Sequence, residues 1–255
     1  MSRSADALEE LLAIQKRLLA PDGCPWDREQ THASLVRYLI EETYEVIEAI
    51  NEGDMYKLKE ELGDLLLQIV FHAALAEAAG YFDFADLTQT VGNKMVDRHP
   101  HVFGSMQLHT SDDVLDHWEG FKRKEGKKYL LEGIPKELPA LLRAEKIQEK
   151  LSGIGFDWPN VDGALDKFKE EVEELNQAQT SEDITAEMGD VLFAIVNIAR
   201  FKQVEPEQAL QHTNDKVARR FSFIEQRVKE SGRSFAEYSL AELDAIWDEA
   251  KSKGL

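Results

Sequence analysis

The residues most able to do chemistry come as two carboxylate words, each written twice. Glu170-Glu171-Val172-Glu173-Glu174 precedes Glu187-Met188-Gly189-Asp190, and Glu41-Glu42-Thr43-Tyr44-Glu45 precedes Glu61-Leu62-Gly63-Asp64. Each is an EExxE followed by an ExxD. In a helix, Leu165, Phe168, Val172 and Leu175 make an apolar stripe, and Glu171 and Glu174 border it, stacked one turn apart, while Glu170 and Glu173 point further out. Glu187 and Asp190 form a second stripe ahead of the apolar run Val191, Leu192, Phe193, Ile195 and Val196. Two antiparallel helices joined by a short turn bring the pairs together. Four carboxylates so placed repel one another unless a cation intervenes. An all-oxygen ligand set suits Mg²⁺ or Mn²⁺, with water and a substrate phosphate completing the octahedron. A single EExxE also reads as a solvated helix face. Recurrence in the same order favours metal, as does the placing of Asp64 and Asp190 in apolar runs where solvation is expected to be poor. Gly63 and Gly189 sit inside these helices, where close approach of a ligand or backbone and close helix packing are equally good explanations.

The elements that must position these groups are helices. Periodicity predicts one over Asp6 to Leu19, then a loop through Cys24-Pro25-Trp26-Asp27 forced by Pro21, Gly23 and Pro25. Further helices are expected from Ala33 to Asn51, from an Asp54 cap to Ala79, and from Asp83 or Asp86 to before Pro100. His99 to Thr110 reads as irregular, and Ser111 caps a short helix through Trp118 to Lys124. The second half repeats the plan over Val161 to Gln179, Ser181 to Lys202, Pro206 to Lys229 and Ser239 to Lys251. Lys94 and Arg98 match Lys216 and Arg220, while Trp118 and Lys122 match Trp247 and Lys251. The repeat spans about 90 residues, a duplicated domain rather than a solenoid. Residues Gly126 to Pro139, with two glycines and two prolines, make a linker. The expected fold is all-α: tandem duplicated four-helix-bundle-type modules, residues 1–128 and 129–255.

A formal charge of −19 argues against a nucleic-acid footprint and against binding anionic membranes. An anionic substrate then needs a cation to mediate. Cys24 is the only cysteine, so no intrachain disulfide is possible. No run has the length of a membrane span and nothing marks export, so the expected location is the cytoplasm.

EExxE followed by ExxD on consecutive helices resembles the all-α nucleoside triphosphate pyrophosphohydrolases of the MazG type. The tandem copies, Cys24-Pro25-Trp26-Asp27, Tyr38-Leu39-Ile40-Glu41-Glu42, the run Asp97 to Phe103 and Gly155-Phe156-Asp157-Trp158 carry the same resemblance over nearly the whole chain. It implies Mg²⁺-dependent hydrolysis of NTPs and dNTPs to the monophosphate and pyrophosphate by a homodimer, with a role in nucleotide-pool housekeeping or stress. It also implies metal ligation by Glu171, Glu174, Glu187 and Asp190, and in the first copy by Glu42, Glu45, Glu61 and Asp64.

An acidic site needs cations for a triphosphate. Lys167 lies one turn before Glu171, and Lys216 and Arg220 share a helix face. Singly, each also reads as a surface ion pair. The resemblance places all three on the nucleotide, together with Trp247, which can stack on a base or fill a core or dimer contact. Tyr38 stands where the second copy has Lys167, and Asp97 where it has Arg219, so the C-terminal copy is expected to carry most of the activity. The N-terminal copy either acts weakly or serves as a structural or regulatory module. Glu170 is the candidate general base. A zinc site among His99, His101, His109 and His117 lacks a ligand pattern. A di-iron bundle needs paired Glu-x-x-His motifs, of which Glu29 and His32 supply one. A non-catalytic module that titrates a partner is the other rival.

Overall fold

The structure, a computed structural model, describes residues 2–110, 113–114 and 129–255. The described residues form helices and connecting turns, with no strand. Two compact units are present, Met1–Lys122 and Arg123–Leu255.

In the first unit, α1 (Arg3–Leu18) is followed by α2 (Pro25–Glu29), α3 (His32–Glu52), α4 (Met55–Ala78), α5 (Phe84–Arg98) and α6 (Pro100–Phe103). The caps explain the boundaries. Thr31 and Ser34 close a capping box at the start of α3, and Gly53, at φ 69°, ends it in the left-handed region. The Asp54 carboxylate accepts from the backbone N–H groups of Tyr56 and Lys57, and Asp83 forms a capping box with Asp86. Two expectations change. The loop through Pro25 is a short helix with proline at its first position, where its missing N–H costs nothing. The irregular stretch after His99 likewise holds a turn of helix starting at Pro100. The short helix expected from Ser111 through Trp118 to Lys124 lies outside the described residues.

In the second unit, α7 (Ala140–Ser152), α8 (Val161–Gln177), α9 (Ser181–Phe201), α10 (Pro206–Ser231), a 3₁₀ turn (Phe235–Glu237) and α11 (Leu240–Ser252) follow. Helix α7 is an element the spacing did not announce, since Pro139 precedes it and no side chain caps it.

Each unit is built on one antiparallel hairpin, α3 with α4 and α8 with α9. Helix α1 packs on α4, and α7 packs on α9 and α10. The buried apolar core consists of Leu35, Ala49, Val70, Phe71, Ala73 and Ala76 in the first unit, and Ala164, Val191, Ala194, Val196, Ile224, Val228 and Ala250 in the second. Both hairpins also leave apolar side chains in the open. Val36, Ile40 and Ile47 on α3, Leu62, Leu66 and Ile69 on α4, and Met188, Leu192 and Ile195 on α9 are exposed at helical spacing.

Candidate metal and nucleotide site

The α8–α9 hairpin pools the carboxylates of the second copy. Oxygens of Glu171, Glu187 and Asp190 lie within 4.8 Å of one another, and so do those of Glu170, Glu171 and Glu174. Glu171 is the shared member and is only 5% exposed. Its counter-charge is Lys167, whose ammonium donates to Glu171 at 2.6 Å and to Glu170 at 2.7 Å. Both carboxylates raise the Lys167 pKa, Glu170 foremost. Loss of solvation raises the Glu174 pKa, and the neighbouring Glu171 and Glu187 raise it further. Asp190 is exposed rather than poorly solvated, because its apolar neighbours Met188 and Leu192 are themselves uncovered. Asp64 is exposed for the same reason, beside Leu62 and Leu66.

A metal fits this donor set. The side chains offer oxygen only, they carry excess negative charge around a buried carboxylate, and one of them holds its proton more tightly than usual. That is the chemistry of a hard divalent-cation site.

The first hairpin repeats the arrangement with a difference. Glu42, Glu45 and Glu61 converge within the same limit. Asp64 is not one of those three, but its charge acts on both Glu42 and Glu61. Desolvation raises the pKa of Glu42, with Asp64, Glu45 and Glu61 adding to it; Glu61 is raised by desolvation, then by Glu45, Glu60 and Asp64. Among the described residues no ion pair reaches Glu42, Glu45 or Glu61. The position of Lys167 is held by Tyr38, on which the Arg37 guanidinium lies 4.3 Å from the ring centre, while Arg37 Nη2 donates to the Tyr38 hydroxyl at 2.6 Å. Trp26 meets Tyr38 edge-on at 5.8 Å.

The remaining nucleotide candidates form a cluster on α10 and α11. The Arg220 guanidinium lies 5.3 Å from the Trp247 ring centre, and its Nε donates to the main-chain oxygen of Leu255 at 2.7 Å. Lys216, one turn earlier, makes no ion pair among the described residues. Helices α9 and α10 also pack together, so the two groups belong to one packed unit.

Helix packing within the chain does not account for Gly63 and Gly189. Among the described residues, a Cβ built at either would meet nothing within 4 Å beyond the helix's own backbone. Among the described residues His32 joins no carboxylate cluster; its Nδ1 faces His72 Nδ1 at 2.8 Å. His99 Nδ1 bonds the Met95 carbonyl at 2.6 Å, and no group of three metal-capable side chains includes a histidine among the described residues. His117 lies outside them.

Spacing missed the long-range polar pairs. Arg200 reaches Asp157 at 2.6 Å and Asn197 at 2.7 Å, and Gln148 donates to the Phe193 carbonyl at 2.9 Å. The only sequence signal was the resemblance of Gly155-Phe156-Asp157-Trp158 to a family motif.

The fold and site define a class: an all-α protein whose helical hairpins each gather acidic side chains into a cluster of a kind that could hold a cation. The model of the MazG nucleotide pyrophosphohydrolase domain matches residues 30–103 and again 162–222, one match on each hairpin. The chain is 42% identical to the nucleoside triphosphate pyrophosphohydrolase/pyrophosphatase MazG of Thermotoga maritima, over 98% of each protein. It is 41% identical to the nucleoside triphosphate pyrophosphohydrolase of Escherichia coli K12, over 96% of this chain and 97% of that one. It is also 47% identical to the YabN protein of Bacillus subtilis over 94% of its own length, which spans 50% of that relative. The chain belongs to the MazG nucleotide pyrophosphohydrolase family.

Proposed function

We infer that this chain is a nucleoside triphosphate pyrophosphohydrolase that cleaves between the α- and β-phosphates, releasing a nucleoside monophosphate and pyrophosphate. The observation that carries the reading is the family's domain falling on both carboxylate hairpins. Glu171, Glu174, Glu187 and Asp190 would hold Mg²⁺, with Mn²⁺ as a substitute. Such an ion supplies a water of lowered pKa and neutralises charge on the phosphoryl oxygens. Lys167 is placed to exchange its carboxylate partners for a phosphate oxygen, and Lys216 and Arg220 supply further positive charge. The Arg220–Trp247 contact is a platform for a base of any identity. Glu170, freed when Lys167 turns to phosphate, is the group we assign to proton acceptance. Glu42, Glu45, Glu61 and Asp64 bind metal without that clamp, so the unit within residues 129–255 does most of the work and residues 1–128 serve a lesser role.

A second copy of the chain covers the exposed stripes of α3, α4 and α9. No helix among the described residues is long and apolar enough to cross a membrane. We place the protein in the cytoplasm, acting on nucleotides rather than nucleic acid, in keeping with its net charge of −19.

Incubation with an NTP and Mg²⁺ tests the chemistry. Monophosphate and pyrophosphate in equal amounts are expected; diphosphate and orthophosphate would sink the reading. Sedimentation tests the dimer, which a monomer at micromolar concentration would exclude.

A further inference from the structure

The α8–α9 hairpin is closed at one end by its turn. At the other end, away from the turn, a set of contacts joins the two helices. Arg200, in the last turn of α9, donates through Nη2 to Asp157 at 2.6 Å, and the same nitrogen donates to Asn197. Asp157 stands four residues before α8 begins, and its carboxylate accepts from the Trp158 backbone N–H at 2.9 Å. Trp158 in turn lies on the first turn of α8. A Cβ on Gly163 would sit 2.3 Å from Trp158 Cδ1, so glycine there is what lets the indole seat. A continuous chain of contacts therefore runs from α9 through the loop to α8.

The Arg200 and Asp157 side chains are each only 17% exposed. Such an ion pair adds little net stability, because desolvation offsets attraction, but this one ties the loop before α8 to the last turn of α9. The geometry matters here because the carboxylates belong to both helices. Glu171 lies about 12 Å along α8 from Gly163, and Asp190 about 15 Å along α9 from Arg200, at the usual rise per residue. A slide of one helix against the other separates Glu171 from Glu187 and Asp190, and a separation of even 1 Å spoils octahedral coordination.

We propose that Asp157, Trp158, Gly163 and Arg200 form a clip that fixes the register of α8 against α9 and thereby the mutual placement of Glu171, Glu174, Glu187 and Asp190. None of the four belongs to the carboxylate clusters; they are positioning residues. The proposal rests on the metal reading of the carboxylates given above.

The test uses full-length protein carrying Glu42→Gln and Glu61→Gln, so that only the C-terminal site is read. Mn²⁺ binding is followed by EPR and backbone mobility by amide hydrogen exchange. Arg200→Met keeps the side-chain stem and removes the charge. It should weaken Mn²⁺ about 10-fold, the usual size of an outer-shell effect. Amides near Glu171 and Asp190 should exchange faster, while those of α3 and α4 stay as they were. Arg200→Lys should restore most of the affinity. Gly163→Ala, which displaces Trp158 without touching the ion pair, should act in the same direction, and it serves if Arg200→Met fails to fold. Unchanged Mn²⁺ affinity in Arg200→Met and Gly163→Ala overturns the proposal, and it does so even if exchange quickens, since the clip is then a stability element alone. If the parent protein binds no Mn²⁺, the metal reading itself fails and the clip has nothing to position.

Discussion

The two hairpins present the same acidic side chains at corresponding positions and differ in what surrounds them. In the α8–α9 hairpin Lys167 bridges Glu170 and Glu171. In the α3–α4 hairpin Tyr38 takes that place, and Lys57 pairs with Glu48 at 2.6 Å and Glu52 at 3.0 Å. The far ends differ too. Asp157 and Arg200 close the second hairpin with an ion pair, whereas His32 and His72 close the first with two imidazole rings that meet through their Nδ1 atoms. Duplication thus kept the acidic side chains and let the charged and aromatic groups around them diverge. Metal binding alone does not distinguish the copies; catalysis of triphosphate cleavage should.

The largest break in the comparison comes from removing the shared carboxylate. Glu171→Gln should lower kcat by about 100-fold or more, the scale of losing one electrostatic group aimed at the transition state. Glu42→Gln should lower it less than about threefold. Steady-state pyrophosphate release measures both. Equal losses would show that both copies turn over.

The second break targets the clamp. Lys167→Met removes charge-assisted hydrogen bonds worth about 2 kcal/mol, or roughly 30-fold in kcat/KM. The loss should appear mainly in KM if Lys167 holds the ground-state triphosphate. The reciprocal change, Tyr38→Lys in a Glu171→Gln background, should raise the residual activity. No gain would mean that the first copy lacks more than this one cation.

The third concerns metal and pH. Glu42, Glu61 and Glu174 have pKa values raised in the folded protein. Their contribution to stability is therefore present below the unfolded carboxylate value of 4.5 and is lost as pH rises through the folded values. In EDTA the melting temperature should fall across that range. Mg²⁺ at 100 times its dissociation constant should then stabilise the folded state by about 2.7 kcal/mol. Calorimetry with and without EDTA checks both. A melting temperature indifferent to metal at neutral pH would remove the cation from the site.

How far these features could be read beforehand depends on the range of the contacts that make them. The helices of both units were legible where their signals are local: caps at Asp54, Asp83 and Ser239, a breaker at Gly53, and proline opening α10. The carboxylate clusters were legible because spacing of three on each helix and a short turn leave few alternatives. Helix α2 was misread because Pro25 both stops one element and starts the next. The Asp157–Arg200 and His32–His72 pairs, 43 and 40 residues apart, carry no local signal. The exposure of Asp64 and Asp190 was misjudged because apolar neighbours were assumed to be buried, while much of the apolar surface of α4 and α9 is open.

The smallest expected effect separates the two far ends. The rings of His32 and His72 are parallel within 4°, and their centres are 5.1 Å apart, the 2.8 Å nitrogen gap lengthened by one ring radius on each side. They therefore meet Nδ1 to Nδ1, where a hydrogen bond needs one donor and one acceptor. Among the described residues His72 Nε2 is buried without a hydrogen-bond partner. Protonating both rings puts two N–H groups face to face. Burial lowers the His72 pKa below its usual 6.5, and the His32 charge lowers it further. A depressed folded pKa means that the stabilisation is present above 6.5 and is lost as pH falls through the folded value. The pair is worth about 1 kcal/mol. His72→Phe should flatten the stability of the α3–α4 hairpin between pH 7 and 5, read by hydrogen exchange at its amides. The Asp157–Arg200 end should stay indifferent over the same interval, since burial of the Asp157 carboxyl is outweighed by hydrogen bonds from Arg200 and Ser152, which hold it below its usual range. Acid loosening of both hairpins to the same extent would show that the two closures are equivalent after all.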